Sequence, residues 1–329
     1  MRGEPVRAVV VSRTGGPVVL ELQELPEPVP GADDLLVDVE AAGLNFIDVY
    51  QREGRYPLDL PFVSGGEGAG VVREVGAQVT GVRPGDRVAW AMVPGTGCTT
   101  AAVVPAGRAV PVPDGLSSEQ AAAVLLQGMT AHFLCETTYP VRSGDDVLVH
   151  AAAGGVGLLL TQMVTRKGAR VIGTVSTEEK EALARGAGAA EVVRYDREDL
   201  VERVRALTGG RGVHVVYDGV GKDTFPGSLD CLATRGMLVL FGASSGAVPP
   251  VDPMVLAGKG SLFLTRPSLA HYAADRDELL LRAGEVFAQV ADGRLDVRVG
   301  ARYGLDEVAR AHEDLEARRT TGKSLVLPR

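Results

Sequence analysis

Over the first 115 or so residues, apolar positions come in short runs separated by turn residues. Ala8-Val9-Val10-Val11, Val18-Val19-Leu20, Leu35-Leu36-Val37-Asp38-Val39 and Val71-Val72-Arg73-Glu74-Val75 are short and rich in β-branched residues, the composition of strands. Gly15-Gly16-Pro17, Pro26 to Gly31 and Arg83-Pro84-Gly85-Asp86 punctuate them. The pattern predicts an irregular, mostly β unit. At Ser117 the texture changes: Ser117 stands three residues before Gln120, the spacing of a capping box, and opens an apolar helix running to about Leu134.

Beyond it, strand and helix patterns alternate. Strands are expected at Asp146–His150, Arg170–Val175, Glu191–Val193, Val213–Tyr217 and Met237–Phe241, with helices from about Gly155 to Lys167, Glu178 to Arg185 and Asp199 to Leu207. Such alternation implies parallel pairing through right-handed crossovers, hence an α/β doubly wound sheet. The tail returns to mixed structure, with helices at Arg276–Ala291 and Leu305–Leu315 and a last strand at Lys323–Leu327. The simplest layout inserts the sheet into the β unit, as residues 1–125, 126–266 and 267–329.

Composition narrows the function. The 329 residues carry 34 Lys and Arg against 42 Asp and Glu, a net charge of −8, which disfavours nucleic acid as a partner. Three scattered cysteines make neither a disulfide framework nor a four-cysteine zinc lobe. No long apolar run or leader-like segment is present, so a cytoplasmic protein with no membrane partner is expected.

The strongest local chemistry is His150-Ala151-Ala152-Ala153-Gly154-Gly155-Val156-Gly157, leaving a buried strand and entering a helix. Small residues there let the backbone approach a pyrophosphate, and the helix start offers unpaired N–H groups. Gly154, Gly155, Val156 and Gly157 are the candidate cofactor contacts. The end of the next strand, where NAD enzymes usually place a carboxylate, reads Val175-Ser176-Thr177. Those hydroxyls, with Lys180 and Tyr195, suit a 2′-phosphate and therefore NADPH. Glu178 and Glu179 argue the other way, so the degree of preference over NADH stays open.

The order of parts, with the Ala-Ala-Gly-Gly-Val-Gly turn, resembles the medium-chain dehydrogenase/reductase superfamily. Within it the chain is similar to the zinc-free, zeta-crystallin-like NADPH:quinone oxidoreductases. Matching segments include Gly43 to Tyr50, Gly65 to Gly70, Gly85 to Val88, Gln127 to Ala131, Tyr217 to Gly221, Leu229 to Leu232, Phe241 to Gly246 and Thr265 to Ser268. The resemblance implies a Rossmann domain inserted into a GroES-like catalytic domain. Where zinc-dependent relatives carry cysteine and histidine ligands, this chain has Asn45 and Gly66, so no metal is expected. Losing a Lewis acid weakens alcohol oxidation, whereas a conjugated carbonyl is already electrophilic.

By the same resemblance Asn45, Phe46 and Ile47 line the nicotinamide region. Asn45, Asp48, Tyr50 and Tyr56 are the candidate catalytic set, the two phenols orienting or protonating an oxyanion. Thr130 faces the nicotinamide, Gly219, Phe241, Ser244 and Ser245 lie at strand ends, and Thr265, Arg266 and Lys323 are further cofactor candidates. His150 and Cys231 read as core, and Glu67 as a brace for its glycine-rich turn. The apolar segment Gly260 to Thr265 reads as an edge strand, and pairing near Leu262–Leu264 would make a homodimer. The expected activity is hydride transfer from NADPH to a quinone. The alternatives are reduction of α,β-unsaturated ketones or aldehydes, or a non-catalytic, crystallin-like or RNA-binding role.

Overall fold

The computed structural model describes residues Pro5–Arg329 and divides into two units. One comprises the chain up to Met129 together with Ala273–Arg329, the other Thr130–Tyr272. The first division lies slightly beyond 125 because helix Ser118–Phe133 runs unbroken past that point. The second lies beyond 266 because Tyr272 stacks on Phe133, centroids 4.3 Å apart, and joins Thr138 through its hydroxyl.

In the first unit, strands β1 (Val6–Val11), β2 (Leu20–Leu25), β3 (Asp34–Leu44), β4 (Phe62–Val63), β5 (Gly68–Val75), β6 (Arg87–Trp90), β7 (Ala101–Pro105) and β8 (Val110–Pro111) precede the insertion. β1 lies between β2 and β4, while β3, β5, β6 and β8 share a larger antiparallel sheet to which β7 adds on β3. Leu35, Val37, Val39, Val72, Val88 and Trp90 bury one face of it, as period-two alternation requires. Val18 and Val19 depart from the expected strand. Pro17–Val19 is a 3-10 turn closed by Val19 N–H to Gly16 O at 3.1 Å, because Pro17 fixes φ and brings no N–H to a ladder.

Helix α1 (Phe46–Arg52) follows β3, and α2 (Ser118–Phe133) leads toward the insertion. The expected reciprocal cap of α2 is present: Gln120 N–H donates to Ser117 Oγ at 3.1 Å and Ser117 N–H to Gln120 Oε1 at 2.9 Å.

The second unit is built on strands β9 (Asp146–Val149), β10 (Arg170–Val175), β11 (Glu191–Arg194), β12 (Val213–Asp218), β13 (Leu232–Leu240) and β14 (Phe263–Thr265). All are parallel, in the order β11-β10-β9-β12-β13-β14. This is the doubly wound dinucleotide-binding order, with its reversal beside β9. Helices α3 (Gly155–Arg166), α4 (Glu178–Gly186), α5 (Leu200–Leu207) and α6 (Phe225–Cys231) are among the crossovers, and Leu148, Ile172, Val193, Val216 and Cys231 lie in the core.

The edge strand is shorter than the six residues expected. Gly260 and Ser261 have φ of 113° and 55°, so the chain turns left-handed there and cannot extend until Phe263; Leu262 points into the core. After short helices α7 (Met254–Gly258) and α8 (Leu269–Tyr272), the chain re-enters the first unit through α9 (Arg276–Ala291), β15 (Val299–Tyr303), α10 (Val308–Glu316) and β16 (Lys323–Val326). β16 pairs antiparallel with β3 and parallel with β15, closing the sheet that the N-terminal segment began. Where one helix was expected from Leu305, Leu305–Glu307 is a 3-10 turn leading into α10. No helix among the described residues is long and apolar enough to cross a membrane.

Candidate active site

In the first unit, the end of β3 and the start of α1 bring Asn45 into a buried polar cluster. Its Nδ2 donates to Glu67 Oε2 at 2.8 Å and to Gly43 O at 3.2 Å. Its Oδ1 accepts from Lys323 Nζ at 2.9 Å and from Gln127 Nε2 at 3.2 Å. Lys323 Nζ also meets Glu67 Oε2 at 2.6 Å, and Leu126 N–H donates to Glu67 Oε1 at 2.7 Å. Both donors and both acceptor positions of the Asn45 amide are therefore used internally. Asn45 builds the floor of the site, and its backbone is committed as well, its N–H to Asp48 Oδ2 and its carbonyl to Asp48 N–H. Gly43 permits this closeness, since a Cβ there would lie 2.2 Å from Glu67 Oε2.

Glu67 ties three elements together and does more than brace its own turn. Lys323, expected to touch the cofactor, has its ammonium committed to Glu67 and Asn45 within the first unit. That ammonium already neutralises the Glu67 carboxylate. Among the described residues no group of three or more His, Cys, Asp or Glu is gathered to hold a metal. An amide oxygen, a glycine and a paired carboxylate do not fit a zinc ion, which takes thiolate, imidazole and free carboxylate donors.

Asp48 lies one turn into α1. Its Oδ2 accepts from Asn45 N–H at 2.8 Å, covering an otherwise unpaired amide at the helix start, while Oδ1 is buried without a hydrogen-bond partner. Burial raises its pKa to about 7. The Asn45 amide and Lys323 lower it in part, and Glu67 raises it further. At neutral pH this carboxyl is poised to hold or release a proton. Further along α1, Tyr50 packs edge-on against Tyr56 (5.3 Å between centroids) and lies 6.2 Å from Phe46, with the Arg55 guanidinium 4.3 Å from the Tyr50 centroid. Tyr50 is buried and Tyr56 exposed, so the pair reaches from the α1 core to the surface, with Phe46 and Ile47 half-buried at the same helix start. A second buried group steadies α1 from behind: Arg52 makes two 2.9 Å bonds to Glu316 and reaches His312 Nδ1 at 3.2 Å.

In the second unit, β9 ends at the turn Ala151–Gly154. Ala151 is left-handed at φ 50°, a strain of roughly 1–2 kcal/mol for a residue with a Cβ. The turn is closed by Gly154 N–H to Ala151 O at 2.9 Å and tied to β10 by Ala152 N–H to Thr174 O at 3.1 Å. No side chain caps α3 at Gly154, so the first amides of that helix keep their hydrogens for an anion. Gly157 lets the helix lie on the turn, as a Cβ there would come 2.3 Å from Ala151 O. This cradle of main-chain donors with no side chain in it fits a dinucleotide pyrophosphate.

The register pairs Val175 with Arg194, so Ser176 and Thr177 follow one strand end and Tyr195 its neighbour. Thr177 caps α4, accepting from Lys180 N–H at 3.3 Å, and Tyr195 is exposed. On the other side of β9, Phe241 lies over Gly219, where a Cβ would touch the ring at 2.9 Å. Ser244 N–H donates to Gly219 O at 3.3 Å. The Ser245 hydroxyl donates to Val220 O and accepts from Asp223 N–H, so it serves chiefly to lock two loops together. Thr130 is buried on α2; Thr265 ends β14, and exposed Arg266 follows it.

The sequence offered Lys323 as a cofactor contact and Glu67 as a turn brace, but marked neither Gln127 nor the pairing of Lys323 with Glu67. The signal available was a lone glutamine ending the apolar run Ala121 to Leu126, and a lysine, one of only five in the chain, opening a buried strand.

Two family descriptions match the chain: an alcohol dehydrogenase GroES-like domain over residues 31–135 and a zinc-binding dehydrogenase over residues 155–270. A quinone oxidoreductase of Pseudomonas aeruginosa is 47% identical over 315 residues, covering 95% of this chain and 97% of its own. A mycobacterial protein solved in complex with NADPH superposes with a TM-score of 0.95 at 50% identity, over 98% of this chain and all of the other. The Escherichia coli quinone oxidoreductase complexed with NADPH superposes with a TM-score of 0.94 at 43% identity, with the same 98% coverage of this chain and 100% of its own.

Proposed function

Because the chain belongs to the quinone oxidoreductases of the medium-chain dehydrogenase/reductase superfamily, we propose that it reduces a quinone with a hydride taken from NADPH. The observation that carries this reading is the uncapped start of α3 behind left-handed Ala151, cleared by Gly157, in a chain so similar to two proteins solved with NADPH. When bound, NADPH supplies the hydride; the chain supplies grip, orientation and the proton.

The amides of Gly155, Val156 and Gly157 hold the pyrophosphate, with Gly154 closing the turn beneath it. Ser176, Thr177, Lys180 and Tyr195 hold the 2′-phosphate end. Gly219, Phe241, Ser244, Thr130, Thr265 and Arg266 border the remainder of the dinucleotide. On the acceptor side Tyr50 and Tyr56 orient the carbonyl oxygens, and Asp48 holds the proton that balances the transferred hydride, so that quinone becomes hydroquinone. Asn45, Glu67 and Lys323 keep α1 in place for this. The acceptor is an electrophilic conjugated dione, for which the polar floor needs no dication. We place the protein in the cytoplasm, as a homodimer joined along β14, whose Phe263 ring is exposed at the sheet edge.

The test is NADPH and NADH oxidation followed by absorbance with a benzoquinone, a naphthoquinone, an enone, and an alcohol in reverse. Rapid NADPH-dependent quinone reduction is expected. NADPH binding with no reduction of any acceptor would overturn the catalytic reading, and tightly bound stoichiometric zinc would overturn the metal-free one.

A further inference from the structure

Three buried polar side chains stand in a row across the carboxyl ends of neighbouring strands: Thr174 on β10, His150 just after β9 and Asp218 on β12. Ser228 of α6 closes the row from the helix layer. Thr174 Oγ1 lies 3.0 Å from His150 Nδ1, His150 Nε2 lies 3.0 Å from Ser228 Oγ, and Ser228 Oγ donates to Asp218 Oδ2 at 2.8 Å.

A hydroxyl has one hydrogen, and that of Ser228 goes to the carboxylate. His150 must then donate to Ser228 from Nε2. Burial keeps the imidazole neutral, so Nδ1 accepts the Thr174 hydroxyl hydrogen. One tautomer satisfies every atom. Asp218 anchors a second loop as well: its Oδ1 accepts from Val220 N–H at 2.8 Å and Gly221 N–H at 3.0 Å, and the Thr224 hydroxyl lies 2.7 Å from Oδ2 and 2.9 Å from Oδ1.

We propose that His150 is a positioning residue for the dinucleotide, fixing through the Thr174–His150–Ser228–Asp218 chain the point from which the pyrophosphate turn departs. His150 immediately precedes Ala151, whose strained φ must be imposed from outside. The strand bond His150 N–H to Tyr217 O at 3.0 Å and the tie from Ala152 to Thr174 hold the backbone on either side. The side-chain row orients that backbone and links it to the Gly219–Thr224 loop. An apolar row would bury as well, but it would leave the turn free to relax away from the left-handed form. The inference rests on the reading of this turn as an NADPH site.

Ser228→Ala removes the acceptor for His150 and the donor to Asp218; Thr174→Val is nearly isosteric and removes only the first link. Binding is measured by calorimetry for NADPH and for 2′-AMP, which carries the adenosine 2′-phosphate but no pyrophosphate. Each variant is expected to bind NADPH about tenfold more weakly, with 2′-AMP affinity within twofold of wild type. Should Ser228→Ala not fold, Thr174→Val decides alone. Equal loss for both ligands would mean general loosening and overturn the inference. So would unchanged NADPH affinity in the variants. Wild-type protein that failed to bind NADPH would instead overturn the reading on which it stands.

Discussion

Lys323 Nζ lies 2.6 Å from Glu67 Oε2, with both side chains almost fully buried and the two residues 256 positions apart in sequence. A buried ion pair stabilises little relative to an apolar replacement, but removing one partner strands a charge. Lys323→Met and Glu67→Gln are each expected to lower unfolding free energy by about 3–5 kcal/mol. The double variant should recover a good part of that. A urea double-mutant cycle measures the coupling; additive losses would mean that the two charges do not sense each other.

Asp48 gives the first unit a pH signature. Its folded pKa of about 7 exceeds the ordinary carboxyl value of 3.8, so the native state holds this proton more tightly than the unfolded chain. The contribution is full below pH 4 and is lost as pH rises through 7. At about 1.4 kcal/mol per unit, the swing approaches about 4 kcal/mol. Asp48→Asn keeps an acceptor for the Asn45 amide and cannot ionise. The wild-type-minus-variant stability difference should therefore fall between pH 4 and 7 and stay flat above. A flat difference throughout would show that Asp48 titrates normally.

His312 has the opposite sign. Burial, and then Arg52, lower its pKa from 6.5 to about 3. Its contribution is complete above pH 6.5 and is lost as pH falls toward 3, by up to about 5 kcal/mol. His312→Gln retains an acceptor for Arg52 without titrating, so it should flatten this acid limb in chemical denaturation. An unchanged limb would assign acid sensitivity to other groups.

Gly157→Ala tests the cradle. The new Cβ would meet Ala151 O at 2.3 Å and Ala152 Cα at 2.8 Å, so helix and turn must separate. NADPH affinity is expected to drop at least roughly tenfold, since a misplacement of about 1 Å is costly in a preorganised site. Fluorescence titration of the dihydronicotinamide reads it directly.

Lys180→Gln tests the choice of carrier. On the proposed reading, in which Lys180 meets the 2′-phosphate, removing its ammonium should weaken NADPH by roughly tenfold and leave NADH nearly unchanged. Equal effects on both carriers would place Lys180 away from that phosphate.

Much of this architecture could be read from the chain because period and punctuation act locally. The Arg276–Ala291 helix coincides with its apolar stripe, and Ser117 and Gln120 cap each other as their spacing implies. The crossovers around β9 follow from alternation alone. What failed was decided by backbone conformation or by distance in sequence. Val18-Val19 looks like a strand until Pro17 removes a donor, and Gly260-Ser261 looks extended until two left-handed residues turn it. The polar floor was least visible. Gly43, Asn45, Glu67, Gln127 and Lys323 come from four separate stretches, and no local pattern says that one ammonium will satisfy an amide and a carboxylate together. The Asp218 network was hidden for the same reason, since Ser228 looks like an ordinary helical serine.

The first unit borrows its last pieces from beyond the insertion. β16, which pairs with β3 and carries Lys323, is synthesised only after the whole of Thr130–Tyr272. On the ribosome the inserted sheet can complete itself while Glu67 still lacks its counter-ion and Asn45 one of its donors. The turn proposed to hold the electron carrier can thus form during translation, before the floor beneath α1 can close.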